Sequence, residues 1–147
     1  MVIPRFLLDT DALSEPLRPR PDEAFLARFR EHADSLAIAA TTWQEALYGL
    51  GRLPDGARKQ RIREYLHEVV LATIPVLPYD DPAARWHAER RVRLEAYGKK
   101  VAFADGQIAA IASVNGCELV TFDTRHFAAF DGLVVTTWKS RARDRDE

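Results

Sequence analysis

The chain alternates short apolar runs with longer stretches whose apolar residues recur every three or four positions. Ile3–Leu8 is a continuous apolar run broken by Pro4 and Arg5, which predicts a first buried strand. "PDEAFLARFREHA" places Phe25, Leu26, Phe29 and Ala33 at helical spacing, and "SLAIA" predicts a second short strand. "TTWQEALYGLGRL" follows with helical periodicity, and Thr42 and Glu45 have the spacing of a capping box. "DGARKQRIREYLHEVVLATI" predicts a longer amphipathic helix with Ile62, Leu66, Val69 and Val70 on one side. "PVLPY" predicts a third strand. "DPAARWHAERRVRLEAYG" predicts a helix capped at Asp81, started by Pro82 and stopped by Gly98. "ADGQIAAIASVNG" predicts a small-residue helix beginning near Asp105. "CELVTFD" and "GLVVTTW" predict the last two strands. Strands alternating with helices predict an α/β sandwich on a mainly parallel sheet.

Composition narrows this only a little. The 147 residues are 47% hydrophobic, enough for one domain with a real core that buries roughly 68–70% of its unfolded surface. No repeat or linker divides the chain, so residues 1–139 are expected to form a single domain and 140–147, "SRARDRDE", a charged tail. The single cysteine, Cys117, excludes an internal disulfide framework and reads as a structural thiol. "MVIPRFLLDTD" has neither the basic start nor the apolar middle of a secretory leader, and no apolar run approaches the roughly 20 residues of a membrane span. A cytoplasmic, non-membrane protein is expected. The formal net charge of −1 argues against bulk attraction to polyanions but leaves room for a local basic face. Such a face is offered by "ARKQRIR" and by Arg90, Arg91, Arg93, Lys99 and Lys100. Both segments also read as solvated helix surfaces.

The candidate chemistry lies in where the acids fall. Ligands of open α/β sheets bind outside the carboxyl ends of the strands. Asp9 and Asp11 follow the first strand, Glu45 sits in the helix after the second, Asp123 closes "ELVTFD", and Asp105 opens a helix that reaches the same edge. Each has an ordinary reading as a cap or an Asx turn. Together they would repel one another, and a cation would neutralise them. Carboxylates alone are hard oxygen donors suited to Mg²⁺ or Mn²⁺, ions used in phosphate chemistry. His32, His67, His87 and His126 are scattered and read as surface or helix residues, which disfavours zinc. There is no P-loop and no nucleophile elbow.

Four segments in series, "LLDTDALSEPLRPRP", "TTWQEALYGLGRLPDGARK", "FADGQIAAIASVNG" and "LVTFDTRHFAAFDGLVVTTW", resemble the PIN domain, and within it the toxin nucleases of VapBC and FitAB type. The resemblance implies a three-layer α/β/α sandwich, RNA cleavage dependent on Mg²⁺ or Mn²⁺, inhibition by a small cognate antitoxin, and a homodimer. It implies catalytic metal ligands at Asp9, Glu45, Asp105 and Asp123, with Thr10 and Thr121 at supporting positions. Asp11 stands where relatives often carry asparagine, and reads as a cap, an outer-shell acceptor or an extra ligand. Phe122 stands where many relatives carry arginine, which either weakens phosphate binding or leaves it to Arg125; Arg125 also reads as a solvated helix residue. Trp43, Leu47, Tyr48 and Leu50, near Glu45, are expected in the core or in an antitoxin groove. Two other classes fit parts of the sequence. "LLDTDAL" is similar to the DxD segment of haloacid-dehalogenase-like phosphatases, with Asp9 as nucleophile and Asp11 as general acid, though the later Asp80–Asp81 pair comes too early. A non-catalytic PIN-like interaction domain would be expected to lack one or more of the acids.

Overall fold

A computed structural model describes residues 3–140. Nearly all of the expected charged tail lies outside the described residues. Five strands, β1 (Phe6–Leu8), β2 (Leu36–Ala39), β3 (Val76–Leu77), β4 (Glu118–Val120) and β5 (Val135–Thr136), form one sheet in the order β3-β2-β1-β4-β5. Every pairing is parallel. The central strands are buried along their whole length, as parallel strands covered on both faces require. All five are shorter than the apolar runs that predict them. At the first, Ile3 is largely exposed and pairing starts only at Phe6.

Helices cover both faces. Leu7, Ala37, Ala39 and Leu119 face α6 (Asp81–Ala96) and α7 (Phe103–Val114), which pack through Ala83, Leu94, Ile108, Ala109, Ile111 and Ala112. Phe6, Leu8, Leu36, Ile38 and Val120 face the other way, onto Leu13, Phe25, Leu50, Leu66, Val70 and Trp138. The two-residue period of a strand divides the core in this way. Replacing one of these fully buried leucines by alanine removes roughly 2–5 kcal/mol.

Several helix ends differ from those the sequence predicts. Asp80, not Asp81, caps α6: its Oδ1 accepts from Ala83 N at 3.1 Å, and Pro82 sits in the first turn. The C-terminus of α6 is as expected. Gly98 adopts φ 71°, and the Gly98 and Lys99 amides donate to Glu95 and Leu94, the bond pattern of a Schellman stop. α7 starts at Phe103 behind Ala102, so Asp105 lies inside the first turn rather than at the cap. The predicted 55–74 helix is α4 (Ala57–Glu64), a π-helical turn over Tyr65–Val70, and α5 (Leu71–Thr73). A π turn rotates the residues after it; Leu66 and Val70 are buried, whereas Val69 is 42% exposed rather than facing the core.

Candidate active site

The register of the sheet sets the site. Leu8 pairs with Ile38 on one side and Val120 on the other, so the central strands end at one level. The residue after β1 is Asp9, whose amide donates to Val120 O at 3.1 Å. Asp9 also caps α1 (Thr10–Ser14), its Oδ1 accepting from Ala12 N at 2.8 Å. Its Oδ2 accepts from Thr121 Oγ1 at 2.5 Å. The cap of α1 is therefore Asp9 and not Asp11, which lies exposed in the first turn. Burial pushes the Asp9 carboxyl up to about 6; the two donated hydrogen bonds oppose this, and the Asp11 and Asp105 charges add to it.

Thr121 ties β4 to the next segment. Its hydroxyl also accepts from the Asp123 amide at 3.0 Å. Asp123 caps α8 (Thr124–Phe127), its Oδ1 accepting from His126 N at 3.2 Å. The His126 ring lies at the first turn of α7, with Nε2 2.8 Å from Asp105 Oδ2. On the opposite flank, α3 (Ala40–Arg52) carries Glu45, whose Oε1 accepts from Thr10 Oγ1 at 2.8 Å. The expected capping box does not form, because α3 begins at Ala40 and has no side-chain cap. Thr42 is buried well inside the helix, and Glu45 turns to Thr10 instead.

The predicted residues thus form one chain of contacts and backbone links. Glu45 bonds Thr10, the residue after Asp9 in the chain; Thr121 bonds both Asp9 and the Asp123 amide; and His126 meets Asp123 through its backbone amide and Asp105 through its ring. Each carboxylate is turned toward its donor. Among the described residues no three His, Cys, Asp or Glu side chains converge on a common ligand point, so the carboxylates are linked in series rather than gathered around one centre. The donor set still fits a hard divalent ion: it is all oxygen, and the Asp9 carboxyl is raised in part by the Asp105 charge, a repulsion that a cation relieves.

Phe122 points away from this chain, its ring 5.4 Å from Phe25 in the aromatic core, so the position contributes packing. Arg125 is exposed at the start of α8 and makes no ion pair among the described residues. Cys117 is buried, and burial raises its thiol pKa, in keeping with a structural thiol. His126, expected to be a surface or helix residue, is a part-exposed residue of α8, and what sequence reasoning did not give is its contact with Asp105; its spacing three residues after Asp123 was the available signal. Sequence reasoning also missed the packing beneath Asp105. His87 is buried, and a Cβ on Gly106 would lie 2.1 Å from its Nε2. No local pattern marks that pair.

Comparison with known proteins bears on the family and the fold. A PIN domain family model matches residues 6–133. Toxin FitB of Neisseria gonorrhoeae is 36% identical over 135 residues, covering 90% of this chain and 97% of that protein. The VapC ribonuclease Y4jK of Sinorhizobium fredii is 33% identical over 136 residues, covering 90% and 97%. The crystal structure of FitAcB from Neisseria gonorrhoeae superimposes with a TM-score of 0.83 at 34% identity, over 90% of this chain and 97% of that one. The all-parallel sheet, its helical layers and these matches place the chain in the PIN-domain family.

Proposed function

We propose that this PIN domain is a divalent-metal-dependent endoribonuclease and the toxin half of a type II toxin–antitoxin pair. The observation that carries the reading is that Asp9, Glu45, Asp105 and Asp123 are held near the carboxyl edge of the sheet by the bonds of Thr10, Thr121 and His126. The relatives named as a toxin and a ribonuclease supply the substrate class and the biological setting. A haloacid-dehalogenase-like phosphatase is displaced by the family to which the chain belongs.

On this reading the four acids hold Mg²⁺ or Mn²⁺. Such an ion supplies Lewis acidity at a phosphodiester and lowers the pKa of a water. The chain's own residues prepare the site. Thr121 and the Ala12 amide fix Asp9. Thr10 orients Glu45, and His126 orients Asp105. Asp11 adds negative charge near Asp9 and serves in the outer shell. Arg125, exposed beside Asp123, is placed to meet phosphate charge. The antitoxin docks beside the acids, in a groove of about 810 Å³ reached from Thr10 and Glu45 and floored by Leu50, Ile62 and Leu66. Of the four residues the sequence offered for the core or that groove, Leu50 lines it, Trp43 packs against the core, and Leu47 and Tyr48 lie exposed on α3. The working assembly is a homodimer.

The test is cleavage of RNA by the full chain freed of partner, with Mg²⁺, Mn²⁺ or EDTA, beside Asp105→Asn. Thermal unfolding with and without each ion is recorded in parallel. Expected are ion-dependent cleavage, a loss of at least about 100-fold in the variant, and ion stabilisation of the wild type alone. Equal activity in wild type and variant, with no stabilisation by either ion, sinks the nuclease reading in favour of a non-catalytic interaction domain.

A further inference from the structure

The basic segment at the end of α6 is not used by the acid chain. It borders a pocket of about 310 Å³ whose lining includes His87, Arg91, Lys99, Lys100, Gly106 and Phe130. The volume is within the range of small-ligand clefts, roughly 300–1,000 Å³. Three cations and one carboxylate surround it. Arg91 pairs with Glu95 at 3.4 Å, while Lys99 and Lys100 make no ion pair among the described residues. The left-handed turn at Gly98 ends α6 and sets the two lysines beyond it.

An aromatic plane lies beside the pocket, outside its lining, against two of the lining residues. Phe103 is 52% exposed. Its ring lies 4.8 Å from that of His87 and 5.5 Å from the Arg91 guanidinium carbon. Phe103 packs on the buried His87 ring and leaves about half of its own surface to solvent. Cations for phosphates with an aromatic face for a base are the pairing that single-stranded nucleic acid requires. The pocket also adjoins the candidate active site through the backbone. Gly106 lines it, Asp105 is the preceding residue, and Phe103 lies two residues before Asp105 on the same turn of α7.

We propose that this pocket holds a nucleotide of single-stranded RNA flanking the scissile phosphate. Lys99, Lys100 and Arg91 take the phosphates on either side of it, and Phe103, beside the pocket, stacks on its base. This rests on the nuclease reading and adds a place where the substrate is gripped. It also gives the basic stretch a role other than a solvated helix face.

The test is fluorescence anisotropy of a short fluorescein-labelled single-stranded RNA of mixed sequence, in EDTA so that binding is read without cleavage. The full-length wild type is compared with Lys99→Ala/Lys100→Ala, with Phe103→Leu, and with Arg28→Ala/Arg30→Ala. The last pair is exposed on α2 (Glu23–Glu31), whose Phe25 packs on the opposite face of the sheet. The lysine variant is expected to weaken binding about 5- to 20-fold and to reduce the log–log salt slope by about 1.4, at about 0.7 per phosphate contact. Phe103→Leu is expected to weaken binding roughly 5- to 10-fold with the slope unchanged, the signature of lost stacking. The α2 variant should stay within about 2-fold, since a remote exposed charge is screened. If wild-type protein binds and the lysine variant falls no further than the α2 variant, the pocket is not the RNA site. Sedimentation of each variant is measured alongside. If Phe103→Leu breaks an oligomer while RNA affinity per protomer holds, the face belongs to a second copy of the chain and the proposal is overturned. If the wild type binds no RNA and cleaves none with metal, the nuclease reading itself fails and takes the pocket with it.

Discussion

Asp9 and Asp105 are the same residue type at one edge of the sheet, yet the fold holds them in different ways. Asp9 is buried at a strand end, is fixed by a backbone amide and a threonine hydroxyl, and is pushed up to about 6. The Asp105 side chain is 31% exposed and is hydrogen-bonded to the His126 ring, itself 36% exposed. What fixes Asp105 is its backbone, because the next residue, Gly106, packs directly on the buried His87 ring. One acid is placed by its side-chain hydrogen bonds at an energetic cost, the other by helix packing at almost none. A site assembled in both ways gains a preformed anchor and an adjustable partner.

The largest effect should come from the packing beneath Asp105. Gly106→Ala puts a Cβ 2.1 Å from His87 Nε2. The His87 ring has little room to retreat, since Tyr79 Oη lies 2.8 Å from its Nδ1 and Phe103 packs on it. A loss of about 2–3 kcal/mol is expected in urea unfolding. In a His87→Ala background the same substitution should cost less than about 1 kcal/mol. An undiminished cost there would mean that α7 is not held through this contact.

The next effect has the opposite sign. Asp9 has its folded pKa raised from 3.8 to about 6. Its contribution to stability is therefore full below the unfolded value and is lost as pH rises through about 6. In metal-free protein, Asp9→Asn should stabilise by roughly 1–3 kcal/mol near pH 8 and by nothing near pH 4. Destabilisation near pH 8 would show that the bonds from Thr121 and Ala12 outweigh the cost of burial, and the contrast with Asp105 would collapse.

Thr121→Val removes the hydroxyl that donates to Asp9 and accepts from the Asp123 amide. It should cost about 1–2 kcal/mol. In an Asp9→Asn background the cost should shrink, because the partner is no longer charged. Equal costs in both backgrounds would assign the threonine's value to the Asp123 turn instead.

The smallest effect belongs to the exposed pair. His126→Ala should change unfolding free energy by less than about 1 kcal/mol, since half-exposed ion pairs contribute little. A larger loss would mean that Asp105 too is fixed through its side chain.

Much of this was legible before any coordinates. The alternation of buried runs with helical periods determined a parallel α/β sheet, and the fall of acids at run ends pointed to the edge where Thr121 bonds Asp9 and the Asp123 amide. The wrong readings share a cause. Thr42 and Glu45 have capping-box spacing, but the chain enters α3 at Ala40, so the pattern lies one turn too late. Asp80 rather than Asp81 caps α6, and of Asp9 and Asp11, both offered as caps, Asp9 is the cap of α1. Adjacent acids offer nearly equal local capping, and a shift of one residue is decided by how the preceding strand is pinned. The π turn at Tyr65–Val70 turns Val69 outward, and its Tyr65 hydroxyl donates to Leu13 O at 2.7 Å, a contact between distant segments that no periodicity records.

The sequence by itself determined the element types, the parallel sheet and the edge where the acids collect, because periodicity and strand-end position are local properties of the chain. Only the tertiary structure decided which acid is buried and which is not, that Thr10, Thr121 and His126 join the four carboxylates, and that His87 beneath Gly106 sets the place of Asp105. Those facts depend on side chains far apart in the chain meeting in space, and on burial, which belongs to the folded molecule and to no single residue.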